Sequence, residues 1–267
     1  MAKNNSIIIK NLNYSIDNKN ILSDISLDIK KGMFYSILGP NGSGKTTLLK
    51  NISRTLEPNK NTVYIEDKDI VKHKYKDLAK ELAYVPQDTS VDFDFPAIDV
   101  VLMGRVPYLR RFENESKKDI EIVERSMKLT NTWHLKDKNI KNLSGGERQR
   151  IIIARALAQE SNIILLDEPI SQLDIHHQIE IMDTIKSLNK KCNITVITVL
   201  HDLNIASQYS DCLILVDKGK IASVGEPEVV LSQTNIKKIY NMDVIMIKNP
   251  LNGKPHIIPV SSGFKSL

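Results

Sequence analysis

No run of apolar residues in this chain reaches the roughly 18 that a bilayer span requires, so the sequence holds no candidate transmembrane helix. Cysteine is scarce. Cys192 and Cys212 form no CxxC pair and lie in or beside strand-like apolar runs, which excludes a disulfide framework and predicts two buried free thiols. There is no internal repeat and no low-complexity segment. Met1 to Lys10 runs from polar residues straight into Ile7-Ile8-Ile9 without a signal-peptide core or cleavage site, so a cytoplasmic location is expected. The charge is not concentrated either. Lys and Arg number 37 against 32 Asp and Glu, for a net +5, but the lysines are spread along the chain. No nucleic-acid partner is expected from that pattern, whereas an anionic nucleotide or the negative surface of a membrane leaflet suits it.

What is present is an ordinary globular composition, 41% hydrophobic and 26% charged over 267 residues. That length suits one α/β domain, or one domain carrying an inserted subdomain, with a sizeable core. Apolar runs alternate with helical patterns, which predicts a mainly parallel sheet covered by helices. The predicted strands are Phe34–Leu38, Leu82–Val85, Ile163–Leu166 and Ile194–Leu200, the last two continuous enough to be buried on both faces. Ser6 to Ile29 alternates around turn residues Asn18, Lys19 and Asn20 and reads as short antiparallel strands. From Asp88 to Asn142 strand runs are lacking, and Ile120, Val123 and Met127 fall at helical spacing, so this stretch reads as a helical insertion. Beyond Leu231, Val244–Ile247 and His256–Val260 flank Pro250–Gly253 as a hairpin would.

The sharpest motif is Gly39-Pro40-Asn41-Gly42-Ser43-Gly44-Lys45-Thr46, a GxxxxGK[ST] loop between a predicted strand and a helix pattern from Thr47 to Ser53. Glycines let backbone N–H groups turn inward around phosphate oxygens, and the helix N-terminus adds partial positive charge. Lys45 would reach the β- and γ-phosphates, and the Thr46 hydroxyl would ligate Mg²⁺. A chance match arises in on the order of 1% of chains this long, before the flanking elements are considered.

Two further places carry chemistry. Ile163–Leu166 ends in Asp167 and Glu168. At the carboxyl end of a parallel strand, Asp167 would face the same phosphates and help hold Mg²⁺, through water, while Glu168 would polarise an attacking water. The alternative for these acids is a helix cap after a buried strand. Leu143-Ser144-Gly145-Gly146-Glu147 places an N-cap serine and two glycines before the helix pattern Ile151–Ala158, a second anion-ready helix end. By itself this is equally a well-capped helix. Two such ends and one nucleotide suggest two copies that complete each other's sites.

The constellation resembles the ATP-binding cassette (ABC) family over most of the chain. Gly39–Thr46 resembles its Walker A motif, Tyr84-Val85-Pro86-Gln87 its Q-loop and Leu143–Glu147 its signature. Ile163–Glu168 resembles Walker B with the catalytic glutamate, Ser171-Gln172-Leu173-Asp174 the D-loop and Leu200-His201-Asp202 the switch region. Tyr14 occupies the place of the aromatic residue that stacks on adenine.

The resemblance implies an α/β P-loop NTPase fold with a mainly parallel sheet, an N-terminal antiparallel β-subdomain and an inserted helical subdomain. The implied limits are 1–87 with 151–230 for the ATP-binding core, 88–150 for the helical and signature part, and 231–267 for a C-terminal extension. It implies ATP and Mg²⁺. Lys45, Gln87, Glu168 and His201 would be catalytic, Thr46, Gln87 and Asp167 would hold the metal, and Tyr14, Gly39 through Thr47, Ser144, Gly145, Gly146 and Asp174 would contact ATP. Ser144, Gly146 and Asp174 would act from a second, head-to-tail copy, and His201 would contact the γ-phosphate. His176 and His177 are adjacent and cannot share a helix face as metal ligands, so they read as structural or interface residues. Asn61 and Asp67-Lys68 depart from a family pattern that favours glycine there, in a surface hairpin that leaves hydrolysis untouched.

A finer resemblance is to ATPases of metal-chelate importers, which serve iron-siderophores, haem or cobalamin. It is carried by Val101–Tyr108 with Arg111-Phe112, by Leu173–Gln178, and by the tail from Ile239-Tyr240 through Pro255–Pro259. It implies a membrane permease partner, an extracytoplasmic binding protein at one remove and a place at the cytoplasmic membrane face. Iron-siderophore import is the first choice. Haem or cobalamin import, a soluble cassette ATPase, an exporter or regulatory ATPase, and an inert nucleotide-binding scaffold are the alternatives. Asp88 to Pro96, with Phe93 and Phe95, is the expected permease contact, unless both phenylalanines pack inside the insertion.

Overall fold

The computed structural model describes residues 5–88, 94–171 and 173–260. The chain opens with two twelve-residue strands, β1 (Asn5–Ile16) and β2 (Lys19–Lys30). Asp17 and Asn18 join them with φ of 47° and 61°, the double left-handed turn that Asp and Asn tolerate and that matches strand twist. The strands are longer than the alternation predicted. Register shifts flank Asn11 and Asn13, and Asn11 (φ 45°) bonds Asp24 (φ 54°) at 2.8 Å, so the period-two pattern breaks while the ladder continues.

Next come β3 (Phe34–Leu38), buried at all five positions, and α1 (Lys45–Ile52). Then β4 (Val63–Ile65) and β5 (Lys68–Asp69) enclose Glu66 and Asp67, both at positive φ. Asn61 also has φ of 62°. Position 61 is thus a left-handed position where glycine is the default and Asn a usual substitute, which accounts for that departure, while Lys68, the other departure, opens β5 without a positive φ. The chain continues through α2 (Tyr75–Glu81), β6 (Leu82–Val85), α3 (Ala97–Leu102), α4 (Lys117–Leu129), α5 (Gly145–Ala158), β7 (Ile163–Asp167) and α6 (Ile175–Cys192). It ends with β8 (Thr195–Val199), α7 (Leu203–Tyr209), β9 (Cys212–Asp217), β10 (Lys220–Gly225), α8 (Pro227–Val230), α9 (Gln233–Tyr240), β11 (Val244–Lys248) and β12 (Pro255–Pro259).

The chain separates into two compact units. The first comprises Met1–Val71 with Ile197–Leu267, the second Lys72–Val196. In the first unit, β2, β1, β4 and β5 form an antiparallel sheet in that order. Beside one another run β10, β9, β3 and β8, with β3 and β9 parallel and β9 and β10 antiparallel. The β11–β12 hairpin is fastened to α7. Asn204 donates its amide to Ile257 O (3.1 Å) and accepts Ile257 N–H (2.7 Å), and Ser207 donates to Pro255 O (2.7 Å).

In the second unit β6 and β7 pair in parallel, Leu82 opposite Ile163 and Val85 opposite Leu166. Helices α3, α4 and α5 pack together. A capping box between Ser116 and Asp119 starts α4, whose buried face is Ile122, Val123 and Met127. Ile120, expected on that face, is 39% exposed. Arg105 is buried and joins Asp119 (2.8 Å), Ala158 O (2.7 Å) and Glu160 (3.0 Å). Neither cysteine is buried as predicted. Cys192 ends α6, before β8 begins, and is exposed, while Cys212 is half-buried at the start of β9, where burial raises its pKa. Among the described residues no helix is long and apolar enough to cross a membrane.

Candidate active site

In the first unit, the buried strand β3 delivers its chain directly into the glycine-rich loop. At Gly39 a Cβ would stand 2.1 Å from Val216 O, so only glycine lets the loop pass this close to β9. At Gly44, the N-cap of α1, φ is 101° and no side chain caps the helix. No acidic residue in the first turn opposes an anion at this helix end. The Lys45 ammonium folds back over the loop and donates to Gly39 O (2.9 Å) and Pro40 O (3.0 Å). Ser43 Oγ is buried without a hydrogen-bond partner. A buried unsatisfied hydroxyl costs stability, and a phosphate oxygen would satisfy it. Thr46 and Thr47 follow in the first turn, both half-buried.

Two other predicted residues belong to the same unit, each with a sequence or ladder neighbour close to this loop. Tyr14 pairs with Leu22 across the β1–β2 ladder, and Leu22 Cδ2 lies 2.9 Å from where a Gly44 Cβ would sit. Leu200 N–H bonds Ile37 O (3.2 Å), next to the loop's entry, and Asp202 caps α7 through Asn204 and Ile205 N–H (2.7 and 2.8 Å). Exposed His201 stands between these two fixed points. Sequence reasoning missed Tyr240 of α9 as a site residue. It is hydrogen-bonded to the Gly39 backbone, and burial pushes its pKa up to about 12.

The second unit gathers the remaining predicted residues. Asp167, at the end of β7, is 1% exposed and accepts the Tyr84 hydroxyl at 3.1 Å. Burial, then the Asp167 charge, raises the Tyr84 pKa, so this phenol is a fixed donor. One residue on, Glu168 has φ of 50° and accepts the Gln87 amide at 2.7 Å. Ser144 caps α5, taking Glu147 N–H (3.3 Å) while Glu147 takes Ser144 N–H (2.8 Å), and that backbone bond holds the Glu147 carboxyl below its usual pKa. Asp174 caps α6 by accepting His177 N–H (3.0 Å), which lowers its pKa. A cleft of about 150 Å³ joins these parts. Its lining includes Gln87, Gly145, Glu168, Ser171 and Leu173. The predicted Q-loop, signature, Walker B and D-loop residues thus share one unit. Lys45, Thr46, Tyr14 and His201 belong to the other. Of the expected permease contact, Phe95 is 36% exposed, while Phe93 lies outside the described residues, as does Gln172 of the D-loop.

With that geometry in hand, the comparisons agree with one another. The ABC transporter family profile matches residues 22–171. A relative from Bacillus subtilis (strain 168), "Probable siderophore transport system ATP-binding protein YusV", is 40% identical over 91% of this chain and 88% of its own. The ferric enterobactin transport ATP-binding protein FepC of Escherichia coli (strain K12) is 36% identical over 90% of this chain and 89% of its own. Among solved structures, a chain of a metal-chelate type ABC transporter in an inward-facing conformation superposes with a TM-score of 0.86 at 26% identity, covering 98% of this chain and 99% of that one. The ATP-binding cassette MJ0796, in a dimeric post-hydrolysis state bound to ADP and Pi, gives a TM-score of 0.72 at 28% identity over 83% of this chain and 98% of that one. This chain therefore belongs to the ABC transporter family.

Proposed function

We propose that this chain hydrolyses ATP to power import of an iron-siderophore type metal chelate through a membrane permease, at the cytoplasmic face of the membrane. The observation that carries the hydrolytic part is Glu168, at the end of β7, held by Gln87 in a cleft beside the signature helix. The siderophore and enterobactin systems named for the two relatives support the cargo class.

In this reading Gly39 through Thr47 hold the phosphates, Lys45 neutralises the β- and γ-oxygens, and Tyr14 stacks on adenine. Glu168 takes the proton of the attacking water, and His201 contacts the γ-phosphate. Thr46, Gln87 and Asp167 would hold Mg²⁺. Hydroxyl, amide carbonyl and carboxylate are hard oxygen donors of the type Mg²⁺ takes, and Asp167 would hold the ion through water. When bound, the ion would neutralise charge on the phosphates. A second copy, head to tail, supplies Ser144, Gly145, Gly146 and Asp174 to the same nucleotide. Residues 88–150 serve as the subdomain that passes motion to the permease, and an extracytoplasmic binding protein delivers the chelate on the far side.

The test is a pull-down of tagged Glu168→Gln protein, with ATP, from detergent-solubilised membranes of its own cell. Mass spectrometry is expected to find a many-span permease among the bound proteins. Ribosomal or DNA proteins instead, or no membrane protein, would overturn the transport reading.

A further inference from the structure

His177 has no part in the scheme above, yet it touches two of its motifs. It is the third residue of α6, and Asp174 holds it twice. One carboxylate oxygen accepts the His177 backbone N–H (3.0 Å), and the other lies 2.8 Å from its ring Nδ1. A single side chain therefore caps the helix and aims the imidazole. The ring lies against the signature turn. A Cβ built on Gly146 would stand 2.8 Å from His177 Cδ2 and 3.2 Å from Cγ, closer than real Cβ contacts. Gly146 has no left-handed backbone angle, so what a Cβ would meet there is the imidazole. Leu173 makes the matching contact at Gly145, where a Cβ would meet its Cδ2 at 3.4 Å. The adjacent His176 meets the His177 ring edge to face, 5.5 Å between centroids, and reaches Glu180 at 3.8 Å. Gln178 donates to Ile170 O (3.2 Å) and Leu173 O (2.9 Å), which ties the turn before α6 to the helix itself.

These contacts bear on the donors at the start of α5. The Ser144 hydroxyl already takes Glu147 N–H. The Gly145 and Gly146 N–H groups have no intrahelical acceptor, because they belong to the first turn. Leu173 and His177 pack against the two glycines that carry these N–H groups.

We propose that His177 is a positioning residue for the nucleotide shared between two copies of this chain. Tethered to Asp174, its ring braces Gly146 and aims the Gly145 and Gly146 N–H groups at the γ-phosphate of ATP held by the other copy. Asp174 and the signature turn then move as one piece, so a facing copy that engages Asp174 also sets the phosphate donors. This inference rests on the two-copy reading under Proposed function.

The experiment separates the two. In the Glu168→Gln background, ATP-dependent dimerisation is followed by sedimentation over a range of protein concentrations. ATP affinity is measured separately with a fluorescent analogue, at protein concentrations below those that dimerise. Adding His177→Ala should raise the protein concentration for half-dimerisation about tenfold, the loss of roughly one hydrogen bond to a charged group. Monomer ATP affinity and the thermal midpoint should stay at the parent's values. His177→Asn keeps a donor for Asp174 but lacks the ring, and should fall between the two. It decides by the same assay if the alanine variant does not fold. Dimerisation unchanged in both variants, or reduced only in step with the thermal midpoint, overturns the role of His177 and leaves the two-copy reading standing. If Glu168→Gln alone stays monomeric with ATP, the two-copy reading fails, and the proposal with it.

Discussion

Lys45 and Asp167 are both almost fully buried charged residues, and each is held by groups a nucleotide would compete with or complement. Lys45 spends its protons on two loop carbonyls. Those bonds keep the ammonium over the loop, ready to exchange carbonyl oxygens for the stronger phosphate acceptors. Lys45→Ala should therefore weaken ATP binding and leave thermal stability nearly unchanged, measured by equilibrium titration with a fluorescent analogue. Unchanged affinity would count against the phosphate-loop assignment. Asp167 depends on Tyr84 in the opposite sense, since the phenol donates to one carboxylate oxygen and fixes where the other points. Tyr84→Phe should raise the Mg²⁺ concentration needed for half-maximal ATP affinity several-fold, with affinity in EDTA unaltered. Identical Mg²⁺ titrations of the two proteins would remove Tyr84 from the site. The sequence showed Tyr84 only as part of a Q-loop pattern. Its bond to Asp167 joins residues 83 apart, which no local spacing records.

The elements were legible where a local rule acts alone. The Ser144 N-cap follows from a few adjacent residues, and the structure places it as expected; the helices after the two glycine-bearing turns begin earlier than their patterns, at Lys45 and Gly145. The start of α4 is also local, but its energetics are not. The Ser116 hydroxyl, then Arg105, hold the Asp119 carboxyl down from 3.8 to about 2. A depressed carboxyl contributes stability that is complete above its ordinary pKa and is lost as pH falls through the folded value. The second unit should thus keep this contribution at pH 4 and lose it toward about pH 2. Ser116→Ala removes the hydroxyl bond, and its stability deficit should be largest near neutrality and shrink as pH falls below 4. Urea unfolding at a series of pH values checks this, and a deficit independent of pH would contradict it. Arg105, buried with three partners on two other segments, could not be recognised as structural from the motif-like stretch Val101–Tyr108.

For the molecule as a whole, the cassette assignment makes turnover and assembly separable. Glu168→Gln removes the proposed general base, and such losses typically slow a reaction about 10²–10⁴-fold. Phosphate release should fall by that order while ATP binding persists, and the ATP-bound dimer should accumulate because hydrolysis no longer opens it. Near-normal phosphate release would sink the role given to Glu168. The hairpin β11–β12 is clamped to α7, the helix that Asp202 caps just after His201, and Tyr240 reaches the Gly39 backbone. The tail is thus built into the first unit at both the switch segment and the phosphate loop.

By itself the sequence determined the ligand class and the kind of chemistry, because phosphate cradles, helix caps and strand-end acids are set by residues a few positions apart. It also determined the β6 and β7 strands, the helical character of 94–142 and the terminal hairpin, each from its own periodicity. Tertiary structure alone decided the partners. Tyr84 on Asp167, Gln87 on Glu168, His177 on Gly146 and Tyr240 on Gly39 are contacts between distant segments, made by packing and not by pattern. The same holds for the exposure of Cys192 and for the bulges that lengthen β1 and β2. Burial and register depend on what an element meets, and a single strand or helix of sequence does not contain its neighbours.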